Sequence, residues 1–271
     1  MRVNSAHGRV SNGPNYATSI RVAYISAVGR ARISAKCVKN NEQSVAALTA
    51  NDIDTVILDM DGTLLDLHFD QEVWNRMLPE RFALASGCTV DTAMTEVAQR
   101  MRSANRTLAW YRLDHWHEVL GIDLAALEVE FSHLVQPRPG AIEFLKILAE
   151  SALRVVLATN AEPGSMQRKF DLTGIDRYFD EIGSSHHYGT CKEDPAFWPA
   201  FTNKLAIDPS TALLIDDDHA VLQTAIKFGI ANVYGVRRPS SSGPELASTD
   251  FHCINSFDEL LSALSSTLTT G

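Results

Sequence analysis

Residues 55–63 give the clearest indication of the fold, and they read Thr55-Val56-Ile57-Leu58-Asp59-Met60-Asp61-Gly62-Thr63. A short run of β-forming residues that stops at polar and glycine residues is typical of a strand buried on both faces of a parallel sheet. In such sheets, ligands bind beyond the carboxyl ends of the strands. The pattern therefore predicts that Asp59 leaves the sheet at a ligand site, with Asp61 close to it.

The spacing of Asp59 and Asp61 allows both carboxylates to face one side of an extended loop. One carboxylate can attack phosphorus as a nucleophile, while the other protonates the leaving oxygen and then activates water. Both can help to hold a magnesium ion, which prefers oxygen ligands in an octahedron. Gly62 permits a turn with positive φ and a close approach to a ligand. The alternative is an ordinary turn after a strand, where Asp and Gly are common.

The composition describes a globular protein. The chain has 271 residues, 45% of them hydrophobic, which is enough for a core and one or two domains. No stretch approaches the ~18 apolar residues of a membrane helix. The 4 cysteines are scattered and form no Cys-x-x-Cys pair, so the sequence indicates neither a zinc site nor a disulfide framework. We therefore expect a protein of a reducing compartment, the cytoplasm.

Charge is distributed unevenly along the chain. The net charge is −9, yet residues 1–50 contain seven Lys/Arg and one acidic residue. The remaining 17 basic and 32 acidic residues give residues 51–271 a balance of −15. The negative charge of residues 51–271 argues against binding to nucleic-acid polymers. It also makes the few basic residues near a site important for an anionic substrate.

Residues 1–50 are rich in Ser, Ala, Asn and Arg and show weak periodicity, so we exclude them from the fold. An acid-poor N-terminal segment containing Arg and Ser resembles an organelle transit peptide. A disordered extension, or an upstream start codon wrongly chosen in a bacterial gene, would have a similar composition. Import into an organelle is expected only under the first of these three explanations.

Residues 68–137 predict helices only, inserted directly after the first strand. Thr89 is a predicted N-cap, and Gly121 is predicted to end another helix. After this insertion, strands alternate with helices, which indicates a parallel sheet. We predict an α/β fold: a doubly wound parallel sheet, or Rossmann-like core, formed by residues 51–67 and 138–267, with a small all-helical cap domain at 68–137. The later strands are predicted at residues 154–158, 180–183, 212–215, 231–236 and 251–254.

Three of the predicted strands end in polar side chains, and all three ends lie at the same edge of a parallel sheet. They are the pairs Asp59/Asp61, Thr159/Asn160 and Asp216/Asp217, with Lys192 on a loop between the second and third. Each feature alone has an ordinary explanation as a turn, a surface lysine or a helix cap. Adjacent carboxylates at the end of a buried strand, however, repel one another unless a cation neutralises them.

This order of residues resembles the four motifs of the haloacid dehalogenase-like phosphohydrolase superfamily. The resemblance covers about residues 53–265, and the predicted helical insertion is similar to the cap of the first subfamily. Three stretches are similar, more narrowly, to bacterial GMP/IMP nucleotidases of that subfamily: residues 58–67, 107–111 and 192–194.

The resemblance implies a role for each motif residue. Asp59 would be the nucleophile that forms an aspartyl-phosphate, and also a magnesium ligand. Asp61 would be the general acid/base and would offer its backbone carbonyl to the metal. Lys192 would neutralise charge between Asp59 and the phosphoryl group, while Thr159 and Asn160 would hold phosphate oxygens.

The fourth motif of the resemblance implies a further magnesium ligand. We expect Asp217 to be the direct ligand and Asp216 to lie behind it, although either side chain can turn inward. Asp218 departs from the small hydroxyl residue of the family pattern, so it either weakens the metal site or merely decorates it.

The expected function is that of a magnesium-dependent phosphatase that hydrolyses purine nucleoside 5′-monophosphates, GMP and IMP, through an aspartyl-phosphate. The alternative is a phosphatase or phosphomutase acting on sugar phosphates or phosphoglycolate. A dehalogenase is disfavoured because Asp61 would have no role in it. A non-catalytic scaffold is disfavoured because the nucleophile and the metal ligands are all present. The sequence leaves monomer and homodimer open.

The predicted cap is expected to recognise the leaving group. Trp110 and Tyr111 can stack on a flat base, and Arg106 and Arg112 can donate to the O6 and N7 edge shared by guanine and hypoxanthine. The alternative is that the arginines lie on a solvated helix face and that the aromatic residues pack the cap. His186 is a further substrate-binding candidate, with a packing histidine as its alternative.

Overall fold

The computed structural model describes residues 53–245 and 251–268, which form a six-stranded parallel sheet flanked by helices. The strand order is β3-β2-β1-β4-β5-β6, and every neighbouring pair is parallel. This confirms the predicted doubly wound sheet, whereas the predicted extension at residues 1–50 lies outside the described residues. The strands are β1 (Thr55–Leu58), β2 (Arg154–Thr159), β3 (Glu181–Ser184), β4 (Ala212–Asp216), β5 (Asn232–Val236) and β6 (His252–Ile254).

Between β1 and β2 the chain forms a helical insertion, residues 68–134, that consists of helices and short helical turns. Thr89 caps its third helix by accepting a hydrogen bond from the backbone N–H of Thr92, and Gly121 ends its fourth helix in the left-handed conformation, both as predicted. A π-helical turn, Val73–Met77, separates the first two helices. The helices are α1 (His68–Glu72), α2 (Leu78–Ser86), α3 (Val90–Met101), α4 (Leu113–Leu120) and α5 (Leu124–Glu130).

Helices cover both faces of the sheet, which explains why the central strands are apolar throughout. Val56 and Leu58 pack on the face that also receives the helical insertion, while Ile57 packs on the opposite face. This alternation is the two-residue period of a strand. The first face is covered by α6 (Ala141–Ala149), α7 (Pro163–Thr173) and α10 (Phe257–Leu268), and the second by α8 (Phe197–Leu205) and α9 (His219–Phe228).

The strand register brings three strand ends to the same level. Leu58 of β1 pairs with Leu157 of β2 and with Ile215 of β4. Asp59, the next residue, is therefore level with Ala158 and Asp216. The edge of the sheet predicted to hold the site is thus built from the three central strands, β2, β1 and β4.

β2 runs through Thr159, so that Thr159 is the last residue of the strand instead of the first residue of the loop that the sequence predicted. The register accounts for this, because Thr159 pairs with Ser184 of β3.

None of the helices formed by residues 53–245 and 251–268 has the length and apolar character that crossing a bilayer requires.

The burial of the central strands predicts a large stability difference between two otherwise similar truncations. Leu214 of β4 is 0% exposed, so Leu214→Ala should lower the free energy of unfolding by about 2–5 kcal/mol. Ile226 of α9 is 43% exposed, and Ile226→Ala should change it by only about 0.5 kcal/mol. Urea unfolding followed by circular dichroism measures both. Equal losses would show that Leu214 is not part of the packed core.

Candidate active site

The ammonium group of Lys192 joins the ends of the three central strands. It donates to Asp59 Oδ1 at 2.5 Å, to Asp216 Oδ2 at 2.6 Å and to the carbonyl oxygen of Ala158 at 3.0 Å. An ammonium has three donors, and all three are used. Although burial lowers the pKa of Lys192, the two carboxylates raise it above its ordinary value, so this lysine stays charged. The structure thus places Lys192 in contact with Asp59, and the charge-neutralising role that the resemblance implies for it stays a prediction.

Asp59 is buried and presents one oxygen that nothing in the described protein satisfies. Lys192 occupies Oδ1, whereas Oδ2 has no hydrogen-bond partner among the described residues. Burial raises the pKa of Asp59 to about 7, although Lys192 opposes that rise. A buried oxygen without a partner is costly unless a ligand completes it. The Oδ2 atom is therefore the atom of Asp59 that a bound ligand would contact.

The three carboxylates Asp59, Asp216 and Asp217 can bring one oxygen each to within 4.8 Å of one another. Burial and the charges of the other two raise the pKa of Asp217 well above its ordinary range. Hard oxygen ligands that repel one another fit a magnesium ion, which would relieve the repulsion.

Asp216 uses both of its carboxylate oxygens inside the protein, and Asp218 uses Oδ1. Asp216 accepts from Lys192 through Oδ2 and from the backbone N–H of Asp218 through Oδ1, at 2.8 Å. Asp218 caps α9 by accepting from the backbone N–H groups of Ala220 and Val221. The departure of Asp218 from the family pattern thus has a structural purpose in starting α9.

Gly62 allows Asp217 to reach the edge of the sheet. Its φ is +89°, and a Cβ atom added there would lie 2.5 Å from the Asp217 carboxyl carbon. A side chain at this position would therefore strain the backbone and displace the carboxylate at the same time.

Asn160 contacts Lys192, and Thr159 lines the same cavity. Asn160 accepts from the Lys192 backbone N–H through Oδ1 at 2.9 Å and donates through Nδ2 to Glu193 Oε2 at 2.9 Å. The second carboxylate oxygen of Glu193 accepts a hydrogen bond of 2.5 Å from the hydroxyl of Tyr111 in the helical insertion. Glu193 therefore links the insertion to the predicted phosphate-binding residues, a role that the sequence prediction missed.

Asp61 makes a contact that the sequence did not predict. Lys169 of α7 donates to Asp61 Oδ1 at 2.7 Å and to Asp70 Oδ1 of α1 at 3.0 Å. A sequence signal existed, because Lys169 shares a helix face with Met166 and Phe170, both buried. A lysine on an apolar helix face indicates a buried partner.

A cavity between the helical insertion and the sheet edge contains most of the predicted site. Arg106, Trp110 and Tyr111 line it from the insertion. Trp74 and Asn75 of the π-helical turn also line it and were not predicted, since nothing in their flanking sequence distinguishes them. The motif residues that line it are Asp59, Asp61, Thr159, Asn160, Lys192 and Asp217.

Two predicted substrate-binding residues, Arg112 and His186, do not line this cavity. Arg112 is exposed and donates to both carboxylate oxygens of Asp114, because it lies at the solvent side of the turn before α4. His186 lies on the turn after β3, where its Nε2 is buried without a hydrogen-bond partner among the described residues, and burial lowers its pKa. His186 thus agrees with the alternative of a packing histidine, and Arg112 agrees with the alternative of an arginine on a solvated surface.

The family model for haloacid dehalogenase-like hydrolases matches residues 53–229. The chain belongs to this family of hydrolases. The match spans every motif residue from Asp59 to Asp217, so the resemblance inferred from the sequence is confirmed. The chain is accordingly an enzyme, and the arrangement around Lys192 is its candidate active site.

Similar proteins within this family include a nucleotidase and a sugar-phosphate phosphatase. GMP/IMP nucleotidase YrfG of Escherichia coli is 37% identical over 213 residues, which cover 79% of this chain and 96% of that protein. A phosphorylated carbohydrates phosphatase of Thermotoga maritima is 22% identical over 138 residues, which cover 51% of this chain and 64% of that protein.

Solved structures of this hydrolase family share the fold. A HAD phosphatase from Thermococcus onnurineus aligns with a TM-score of 0.65 at 18% identity, covering 78% of this chain and 98% of that one. At this identity the likeness concerns the fold alone.

The contact between Gly62 and Asp217 predicts that Gly62→Ala weakens Mg²⁺ binding by ~10–100-fold, the range for residues that orient metal ligands. Isothermal titration of the protein with Mg²⁺ measures this affinity. Gly87→Ala is the matched control, since Gly87 also has a positive φ, +65°, but an added Cβ would have nothing within 4 Å. Backbone strain should lower the stability of both variants by about 1 kcal/mol, and Gly62→Ala should lose more because its Cβ also meets Asp217. Equal Mg²⁺ affinities would contradict the account of Gly62.

Proposed function

We propose that this hydrolase is a magnesium-dependent phosphatase of purine nucleoside 5′-monophosphates, GMP and IMP, with Asp59 as its nucleophile. The observation that supports this most directly is the buried Asp59 Oδ2, unpaired among the described residues, in a side chain that lines a cavity also lined by Trp74, Trp110 and Arg106. The 37% identity to a GMP/IMP nucleotidase over 96% of that protein supports the substrate class.

The proposed first step transfers the phosphoryl group to Asp59. Its Oδ2 forms a bond to phosphorus while the bond between phosphorus and the ribose 5′-oxygen breaks, and Asp61 gives its proton to that oxygen. Lys192 holds Oδ1 of Asp59 at 2.5 Å and thereby directs Oδ2 toward the substrate. In the second step Asp61 takes a proton from water, the water oxygen attacks phosphorus, and the aspartyl-phosphate bond breaks to release phosphate.

We propose that Asp59, Asp217 and the backbone carbonyl of Asp61 hold the magnesium ion, since Asp216 already uses both oxygens within the protein. Mg²⁺ bound there supplies positive charge beside the phosphoryl oxygens. Lys192 adds a second fixed positive charge, and Thr159 and Asn160 offer a hydroxyl and an amide to the same oxygens.

The leaving nucleoside is proposed to lie against the helical insertion. Trp74 and Trp110 offer aromatic faces for a base, and Arg106 and Asn75 offer polar groups at the same cavity. The Oδ1 atom of Asn75 is buried without a hydrogen-bond partner among the described residues, so a base N–H group would satisfy it. Arg106 has a φ of 57°, a conformation that non-glycine residues rarely adopt and that is concentrated at functional sites.

A phosphatase of sugar phosphates is the second candidate, supported by the 22% identity to the phosphorylated carbohydrates phosphatase. Such a substrate would have no planar base to stack on the aromatic residues of the cavity. A hydrolysis screen over GMP, IMP, AMP, ribose 5-phosphate, hexose phosphates and phosphoglycolate separates the two candidates. Faster turnover of the sugar phosphates than of GMP would favour the second.

The first prediction from this mechanism concerns the nucleophile. Asp59→Asn should lower phosphatase activity by at least ~10⁴-fold, because an amide cannot form the acyl phosphate. Phosphate release from GMP with Mg²⁺ measures the loss. Asp171→Asn, which removes an exposed carboxylate of α7 that accepts from Gln167, is the control and should retain full activity. Full turnover by Asp59→Asn, or by the wild type in excess chelator, would contradict the mechanism.

The second prediction concerns the base. Arg106→Ala should lower kcat/KM for GMP and IMP by ~5–150-fold, the cost of about 1–3 kcal/mol for losing a donor pair to a purine edge. Its kcat/KM for ribose 5-phosphate should change little. Arg112→Ala is the matched control, because Arg112 lies in the same segment but pairs with Asp114 at the surface.

Steady-state kinetics with GMP, IMP, AMP and ribose 5-phosphate measure these effects. An equal loss on all four substrates in Arg106→Ala would assign Arg106 to the structure of the insertion and not to the base. A wild type that hydrolyses AMP and ribose 5-phosphate as fast as GMP would contradict base recognition altogether.

A further inference from the structure

Lys169 is a buried lysine that the mechanism so far does not use. Its side chain is 4% exposed, and its ammonium donates to Asp61 Oδ1 at 2.7 Å and to Asp70 at 3.0 and 3.3 Å. It also lies 5.2 Å from the centre of the Phe69 ring. A charge is buried at this depth only when partners compensate its lost hydration. Lys169 therefore depends on the two carboxylates for its place in the fold.

The partners of Lys169 come from two parts of the chain that the ammonium joins. Asp61 lies in the loop after β1, whereas Asp70 and Phe69 lie on α1, the first helix of the insertion. Lys169 itself belongs to α7 of the core. Three donors on one nitrogen allow Lys169 to bind both carboxylates at once. The position of α1 and the position of the Asp61 side chain are thus set by the same atom.

The two buried lysines of the site bind different carboxylates. Lys192 donates to Asp59 and Asp216, on the side of the proposed nucleophile. Lys169 donates to Asp61 and Asp70, on the side of the proposed proton donor. Its contact uses Oδ1 of Asp61, which restrains the side-chain torsions that decide where Oδ2 points. A proton donor must lie within hydrogen-bond reach of the leaving oxygen to be effective.

We propose that Lys169 is a positioning residue for Asp61, and that Asp70 holds Lys169 in place when α1 is packed against α7. This inference rests on the proposed function, because it assigns a task to Asp61 in that reaction. Lys169 would orient Asp61, the proposed proton donor, toward the leaving oxygen. The helical insertion thereby acts on the proton-transfer step as well as on substrate selection.

The proposal predicts a dependence on the leaving group. A nucleoside leaves as a strongly basic alkoxide unless a proton is donated to it, so its departure depends on where Asp61 lies. The 4-nitrophenolate ion is a stable anion near neutral pH and needs no proton. The kcat/KM value reports the steps up to leaving-group departure, so it isolates this effect from the later hydrolysis of the aspartyl-phosphate.

The experiment measures kcat/KM of Lys169→Met, Lys169→Arg and wild type for GMP and for 4-nitrophenyl phosphate with Mg²⁺. Lys169→Met should lose ~10²-fold on GMP and less than ~3-fold on 4-nitrophenyl phosphate, within the range for positioned acid catalysis. Lys169→Arg keeps the charge and the donors, so its loss on GMP should be smaller. Lys146→Met is the matched control, an exposed lysine 3.9 Å from Glu143 that should show no loss on either substrate.

A second variant keeps the test decisive if Lys169→Met folds poorly. Lys169→Met with Asp70→Asn removes one positive and one negative charge together, which lowers the cost of the unpaired carboxylates. It should show the same selective loss on GMP, with circular dichroism confirming its fold. Equal losses on both substrates, or no loss on either, would overturn the proposal and leave Lys169 a structural ion pair.

The proposed function and this inference fail in distinguishable ways. If wild type does not hydrolyse GMP, the nucleotidase proposal fails. The comparison is then made with the alkyl phosphate that wild type hydrolyses fastest, against 4-nitrophenyl phosphate. A selective loss on that alkyl phosphate would still support the role of Lys169, and its absence would refute it.

Discussion

The ammonium of Lys192, buried between Asp59 and Asp216, is the interaction on which the site depends. Register places Asp59, Ala158 and Asp216 at one level, and Lys192 donates to all three. Two carboxylates at adjacent strand ends would otherwise repel each other in a region of low dielectric. Because one oxygen of Asp59 is held by the lysine, the other is left to react. The contact that stabilises the sheet edge is therefore also the one that would orient the proposed nucleophile.

The same arrangement is repeated where the insertion meets the core. Lys169 lies between Asp61 and Asp70, and Glu193 lies between Asn160 of the core and Tyr111 of the insertion. Lys169 and Glu193 therefore each have one partner at the proposed reaction site and one partner in the insertion. Movement of the insertion would therefore break the contact of Asp70 with Lys169 and that of Tyr111 with Glu193. Lys169 and Glu193 in turn contact the proposed proton donor and the proposed phosphate-binding amide. This gives the insertion a physical route to the reaction beyond excluding water.

The sheet and the motif residues were predictable because both depend on local sequence. A buried parallel strand needs an apolar run, and a residue after it must leave the sheet, so Asp59 followed from its neighbours. Lys169 and Asn75 were missed because they lie within helical segments, where the partner is set by packing between distant parts of the chain. The position of Arg112 could not be foreseen for the same reason, since its sequence neighbour Tyr111 lines the cavity while Arg112 is exposed and pairs with Asp114. Side-chain direction in an irregular helical turn depends on a backbone that composition does not specify.

The most direct test of this account is to trap the covalent intermediate on Asp59. Wild type and GMP are mixed with Mg²⁺, quenched in acid within one turnover, digested and examined by mass spectrometry, with released guanosine measured in the same sample. The account predicts one phosphoryl group on the peptide containing Asp59, labile to hydroxylamine as an acyl phosphate must be. Release of guanosine with no phosphoryl group on that peptide, or with one on another residue, would contradict it.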